Sequence, residues 1–317
     1  MISRRQFFTK TTGSVLAAGV LASMVRELEA KSPLGLPPLG MPIGGQVYPH
    51  RQRVVDGGLA GFGELMKDMK ALGIGSVELD SPGYKEFASL ADGKQTRKIL
   101  EDNGLKCPSI HFTLVELRTK LPEALAWANE IGAGHVSTAS LNGKVTNGVA
   151  TLDEVKRAAD EYNQIAAVVA KAGLLTTLHD EGFEMSKTED GRVTYHVLFD
   201  LLDPKTVFMQ FQMSSMRAVG DPVMLFTKYP NRFRSMHLQG VDLSTPMPAA
   251  GGAPGASGAR QAGGGGRGGA QLAVGHDSLD WPKIFTAAKT GGITNYFVEQ
   301  SWDLMVQSVA YLKTLNV

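Results

Sequence analysis

Eight short strand-like runs, each followed by a helix-like run, are spread along 317 residues and restrict this chain to very few architectures. The strand-like runs are 43–48, 76–79, 107–112, 135–139, 174–179, 207–213, 233–238 and 295–299. Helical segments are expected at 59–72, 84–103 with a break near Asp92-Gly93, 115–131, 152–172, 194–202, 222–228, 281–290 and 304–315. In the fourth of these, Val155, Ala158, Ala159, Tyr162, Ile165, Ala166 and Val169 recur at helical spacing, so one face is apolar and packs on a sheet. Gly73, Gly104 and Gly173 fall where helices should stop before the next strand. Eight strand-then-helix repeats predict a closed (β/α)₈ barrel rather than an open doubly wound sheet. The open-sheet alternative also lacks a Gly-x-Gly-x-x-Gly after its first strand.

The remaining segments are appendages to one domain expected over 42–317. The start, Ser3-Arg4-Arg5-Gln6-Phe7-Phe8 with Lys10, resembles a twin-arginine export signal, and an Ala- and Gly-rich apolar stretch follows over 15–25. That stretch is too short for a comfortable membrane span, so we expect a signal over 1–30, cleaved after Ala30, and a periplasmic protein. An uncleaved signal would leave it anchored to the membrane. A Pro/Gly-rich linker covers 31–41. Half of the residues from Gly251 to Ala270 are glycine, within an insertion at 249–272 that we read as a disordered loop; it follows the seventh strand and emerges beside His237.

The 32 basic and 31 acidic residues leave a net charge of +1, with no basic stripe, which excludes nucleic acid as an expected partner. The single cysteine, Cys107, rules out an internal disulfide or a thiolate metal cluster and reads as a core residue.

In a (β/α)₈ barrel the site lies at the C-terminal ends of the strands. Polar and ionisable residues gather there: Glu78 on strand two, His111 on strand three, His179 and Glu181 on strand five, Gln212 on strand six, His237 on strand seven and Glu299 on strand eight. Alternation along strand five puts His179 and Glu181 on one face, two residues apart, where they can share a metal or a substrate proton. Glu184 is the rival carboxylate in that segment.

The stretches Gly75-Ser76-Val77-Glu78-Leu79, Leu178-His179-Asp180-Glu181-Gly182-Phe183-Glu184, Asp221-Pro222 through Tyr229-Pro230-Asn231-Arg232, Met236-His237-Leu238, Leu279-Asp280-Trp281 and Phe297-Val298-Glu299-Gln300 resemble the xylose isomerase-like TIM-barrel family of sugar isomerases and epimerases. The resemblance runs from about Ile43 to the end, and the order of the motifs is more specific than any one of them. It implies one divalent cation (Mn, Mg, Co or Zn) held by Glu181, Gln212, His237 and Glu299. At the sixth strand the family has an Asp where this chain has Gln212, and after the seventh-strand histidine it has Lys-Asp where this chain has Gln239-Gly240. A neutral amide oxygen in place of a carboxylate lowers the expected cation affinity.

The reaction expected from such a site is proton abstraction next to a carbonyl, with a metal-stabilised enediolate, on a sugar or other polyhydroxylated compound. His179 is the expected base, because imidazole titrates near neutrality; Glu181 and Glu299 are the other catalytic candidates. Glu78, His111 and Trp302 are expected to bind substrate. Isomerase or epimerase comes first. A lyase that β-eliminates a keto-glycoside with the same site is the alternative, and a non-catalytic sugar-binding barrel the third.

Overall fold

The computed structural model describes residues 37–244 and 271–317. The expected signal segment, most of the linker and the heart of the glycine-rich insertion lie outside the described residues. The remainder folds as the expected single-domain (β/α)₈ barrel.

Eight parallel strands close on themselves: β1 (Gly44–Gln46), β2 (Ser76–Asp80), β3 (Lys106–His111), β4 (His135–Thr138), β5 (Leu175–His179), β6 (Val207–Gln212), β7 (Phe233–Leu238) and β8 (Asn295–Val298). Gly44 pairs with Ser76 of β2 on one side and Phe297 of β8 on the other, which shuts the ring. Only glycine fits there: a Cβ on Gly44 would lie 2.2 Å from the Tyr296 carbonyl oxygen.

Among the described residues the main helices around the barrel are α1 (Arg51–Leu72), α2 (Gly93–Asp102), α3 (Leu121–Ile131), α4 (Leu152–Lys171), α5 (Thr194–Leu201), α6 (Pro222–Lys228), α7 (Trp281–Gly291) and α8 (Trp302–Leu312), with two shorter ones at Leu114–Thr119 and Met216–Val219. Their starts are written in side chains. Asp92, Thr151, Asp221 and Asp280 each accept a backbone N–H of the first turn of α2, α4, α6 and α7.

Three helical expectations differ in detail. Helix α1 starts eight residues earlier than its apolar pattern suggested, and its first turns are set off by Gly58, at φ 55° and ψ −140°. The expected helix 84–103 is a 3₁₀ turn, Lys85–Leu90, followed by α2. The expected helix 115–131 breaks at Lys120, which adopts φ −141° and ψ 34°, because Pro122 in the first turn of α3 favours a fresh start over a continuous ladder. Periodicity also gave no sign of two small sheets at the strand ends, Val149–Ala150 with Lys187–Thr188 and Gly240–Val241 with Gln271–Leu272.

Each strand sorts its side chains by alternation. Val77 and Leu79 on β2, Met209 and Phe211 on β6, and Met236 and Leu238 on β7 are fully buried in the layer between strands and helices. The alternate positions, Glu78, Gln210, Gln212, Ser235 and His237, are equally buried but meet one another inside the barrel. At the opposite end from the site, the Leu39 amide donates to the Val317 carbonyl at 3.0 Å.

Among the described residues, no helix is long and apolar enough to cross a membrane.

Candidate active site at the barrel mouth

The strand register brings distant residues to one level. His111 of β3 lies beside Ser137, His179 beside Gln210, and Gln212 beside His237. The expected residues Glu78, His111, His179, Gln212, His237 and Glu299 thus converge inside the barrel, each essentially without solvent exposure. Glu181, whose side chain is 25% exposed, stands above them with Oε1 3.7 Å from His179 Nε2. Trp302, half-buried at the start of α8, packs instead against His50, with ring centroids 5.5 Å apart.

The side of the site built from β2, β7 and β8 is held by ionic hydrogen bonds. Glu78 Oε2 accepts His237 Nε2–H, while Glu78 Oε1 accepts Ser109 Oγ–H at 2.6 Å and the Gln210 amide at 2.7 Å. The other nitrogen of His237, Nδ1, lies 3.1 Å from Glu299 Oε2. The same oxygen accepts the side-chain amides of Gln212 at 2.8 Å and Gln239 at 3.0 Å.

Burial opposes the charge on His237, but the carboxylates of Glu78 and Glu299 outweigh it and push its pKa up to about 10. Burial likewise acts to raise Glu78, yet His111 and His237 hold it well below the usual carboxylate range.

The β5 side is different. His179 is fully buried, and neither ring nitrogen has a hydrogen-bond partner. Burial lowers its pKa against the weaker pull of Glu181, so the ring is neutral at neutral pH. Glu184, the rival of Glu181, is turned away: its Oε1 accepts the Leu141 amide at 2.8 Å, and burial pushes its carboxyl up to about 8.

Alternation on β6 and β1 could have disclosed two residues that the sequence reading passed over. Gln210 links His111 (Nε2 to Oε1, 2.6 Å) to Glu78 and to Ser235 Oγ (2.8 Å), and Gln46 donates to Asp80 Oδ2 at 3.1 Å. A glutamine among Met and Phe carries no motif, so the signal lay only in its inward phase.

Two donor sets suit a metal ion. His111, His179 and His237 each offer a buried ring nitrogen, all within 4.8 Å of one another, a grouping suited to a transition metal. Nearer the mouth, His237 Nδ1 and the Gln212 amide meet at Glu299 Oε2, and Gln212 Oε1 is buried without a hydrogen-bond partner. An orphaned amide oxygen beside a carboxylate and an imidazole fits a divalent cation.

This architecture matches that of xylose isomerase-like TIM barrels among solved structures. A sugar phosphate isomerase/epimerase from Parabacteroides distasonis superposes with a TM-score of 0.61 at 20% identity, covering 86% of this chain and 93% of that one. A xylose isomerase-like TIM-barrel protein from Mycobacterium smegmatis, in complex with magnesium, gives 0.62 at 14% identity over 86% and 97%. The D-allulose 3-epimerase of a Methylomonas species gives 0.58 at 13% identity over 86% and 97%. No family model and no curated protein matches the chain.

Proposed function

We propose that this chain is a sugar isomerase/epimerase-like enzyme that moves a proton on the carbon next to a carbonyl of a sugar or other polyhydroxylated substrate. The observation that carries this reading is His179: a neutral imidazole at the end of β5 with two unbonded ring nitrogens, beside the carboxylate of Glu181. A desolvated, neutral imidazole is a competent general base near pH 7. It takes the proton from the carbon, and the electron pair moves toward the carbonyl oxygen. Return of a proton to the former carbonyl carbon, with the hydroxyl proton passing from one oxygen of the enediolate to the other, isomerises the sugar, and return to the opposite face of the same carbon inverts it.

A divalent cation held by Glu181, the amide oxygen of Gln212, His237 and Glu299 would take the place of the Nδ1 proton of His237 and polarise the carbonyl. Glu78 fixes the ring of His237 through Nε2, as a carboxylate behind a ligating histidine does, and so aims Nδ1 toward Glu299.

Elimination is the second reading, because it begins with the same proton transfer and then expels a group from the next carbon. A probable 3-DHS dehydratase from Bacillus anthracis shares the fold, with a TM-score of 0.62 at 11% identity. The twin-arginine-like start favours a periplasmic site of action, and with it glycosides over sugar phosphates.

Incubation of the folded protein with aldoses, ketoses and keto-glycosides in deuterated water tests the proposal. Deuterium beside the carbonyl is expected, and aglycone release would select the lyase. Neither outcome in the presence of Mn²⁺, Mg²⁺, Co²⁺ or Zn²⁺ would leave a sugar-binding barrel without catalysis.

A further inference from the structure

A second group of side chains lies on the rim between β1 and β8, apart from the hydrogen-bonded cluster inside the barrel. After β1 the chain turns through a 3₁₀ segment, Tyr48–His50, whose end is fixed by the His50 amide donating to the Val47 carbonyl at 2.9 Å. His50 is only 7% exposed and its Nε2 is buried without a hydrogen-bond partner. Its ring meets Trp302 edge-on, at an interplanar angle of 80°. Trp302 opens α8, three residues after Glu299.

The other two tryptophans show what is unusual about Trp302. Trp127 and Trp281 are buried and their indole N–H groups donate to the Leu90 carbonyl and to Asp277, each at 3.0 Å. Both are packing residues. Trp302 remains part-exposed at the catalytic end of the barrel, with the Arg53 guanidinium 6.0 Å from its ring. That guanidinium is paired with Asp68 at 2.8 Å.

A buried imidazole nitrogen with no partner costs free energy that a ligand hydroxyl recovers. An aromatic face beside it offers apolar surface to the C–H side of a sugar ring.

We propose that His50 Nε2 and the part-exposed indole of Trp302 form a subsite for the ring of an uncharged glycosyl unit, which packs on the indole and hydrogen-bonds a ring hydroxyl to His50. The proposal rests on the sugar reading of the mouth and adds the class of substrate. Burial, with a smaller contribution from Arg53, pushes the His50 pKa down to about 4, so the ring meets its ligand uncharged. A neutral imidazole suits a hydroxyl better than a phosphate.

The test is binding, read without turnover. Methyl β-D-glucopyranoside and glucose 6-phosphate are titrated into the full chain, and the emission of Trp302 is isolated by difference against Trp302→Phe. The glycoside is expected to change that emission. His50→Phe, which keeps an aromatic ring but lacks the nitrogen, should weaken the glycoside by roughly 10-fold, the worth of one hydrogen bond. His50→Gln should restore part of the loss, and it supplies the result if His50→Phe does not fold.

Unchanged affinity in both His50 variants, no change in Trp302 emission, or tighter binding of the phosphate would overturn the subsite. Glycoside binding without proton exchange would overturn the proposed reaction and leave the subsite standing. Proton exchange with an unchanged KM in the His50 variants would do the reverse.

Discussion

His237 and His179 have ring centroids 4.6 Å apart and are both fully buried, yet their surroundings differ in kind. His237 lies between two carboxylates, with a hydrogen bond at each nitrogen, and is held charged. His179 has no hydrogen bond at either nitrogen and is held neutral. The difference extends to their neighbours. On the β7 side Glu78 is driven toward its ionised form, whereas on the β5 side burial drives Asp180 and Glu184 toward their protonated forms. One side of the mouth is a fixed ionic framework; on the other, the buried groups His179, Asp180 and Glu184 are held neutral beside the partly exposed carboxylate of Glu181. Burial alone predicts neither. The balance is set by whether buried carboxylates hydrogen-bond the ring directly, as Glu78 and Glu299 do for His237.

The most damaging way to test this contrast is His179→Gln, which removes the proposed base and leaves the ionic framework intact. Proton exchange measured in deuterated water should fall about 10²–10⁴-fold, with the denaturation midpoint little changed. Glu78→Ala should do the converse. It strips His237, Ser109 and Gln210 of their common acceptor, and urea denaturation should show a loss of about 3–5 kcal/mol.

Gln212→Asp adds a charge to the framework where only an amide now stands. Calorimetric titration with Mn²⁺ should show affinity raised by roughly 10-fold or more, and weaker binding would remove Gln212 from the cation site.

Stability against pH should separate the two sides by the range over which it is lost, not by its sign. The protonated form of Glu184 is favoured by folding, because its folded value of about 8 exceeds its ordinary 4.5. The associated stability is complete below about pH 4.5 and is lost as pH rises through about 8. His237 is also raised, from 6.5 to about 10, so its contribution persists to higher pH and disappears only through about 10. Denaturation midpoints of Glu184→Gln should therefore lose the slope between about pH 4.5 and 6.5, become shallower up to about pH 8, and keep the slope from there to about pH 10. Tyr195→Phe is the smallest perturbation. Its buried hydroxyl has no hydrogen-bond partner, so a change within about 0.5 kcal/mol is expected, and a larger loss would reveal a polar contact on the neutral side.

The barrel was legible because its evidence is local. Alternation in Val77-Glu78-Leu79 or Met209-Gln210-Phe211-Gln212 marks strands and the phase of each side chain, and Glu78, His111, His179, His237 and Glu299 fall at strand ends for that reason. The contrast between His179 and His237 was not legible. It depends on Glu78, which lies 159 residues from His237 along the chain and reaches it only when the ring closes. The break at Lys120 was missed because the apolar pattern of 115–131 continues through it, whereas Pro122 acts on the backbone alone. His50 was passed over since nothing in Tyr48-Pro49-His50 says that its imidazole will be buried beside a tryptophan more than 250 residues later.

The pairing of Leu39 with Val317 fixes where this barrel can be handled. The described chain enters and leaves the barrel at one spot, on the floor opposite the mouth. Any carrier, surface or tether attached at that spot would hold the barrel with its opening directed outward.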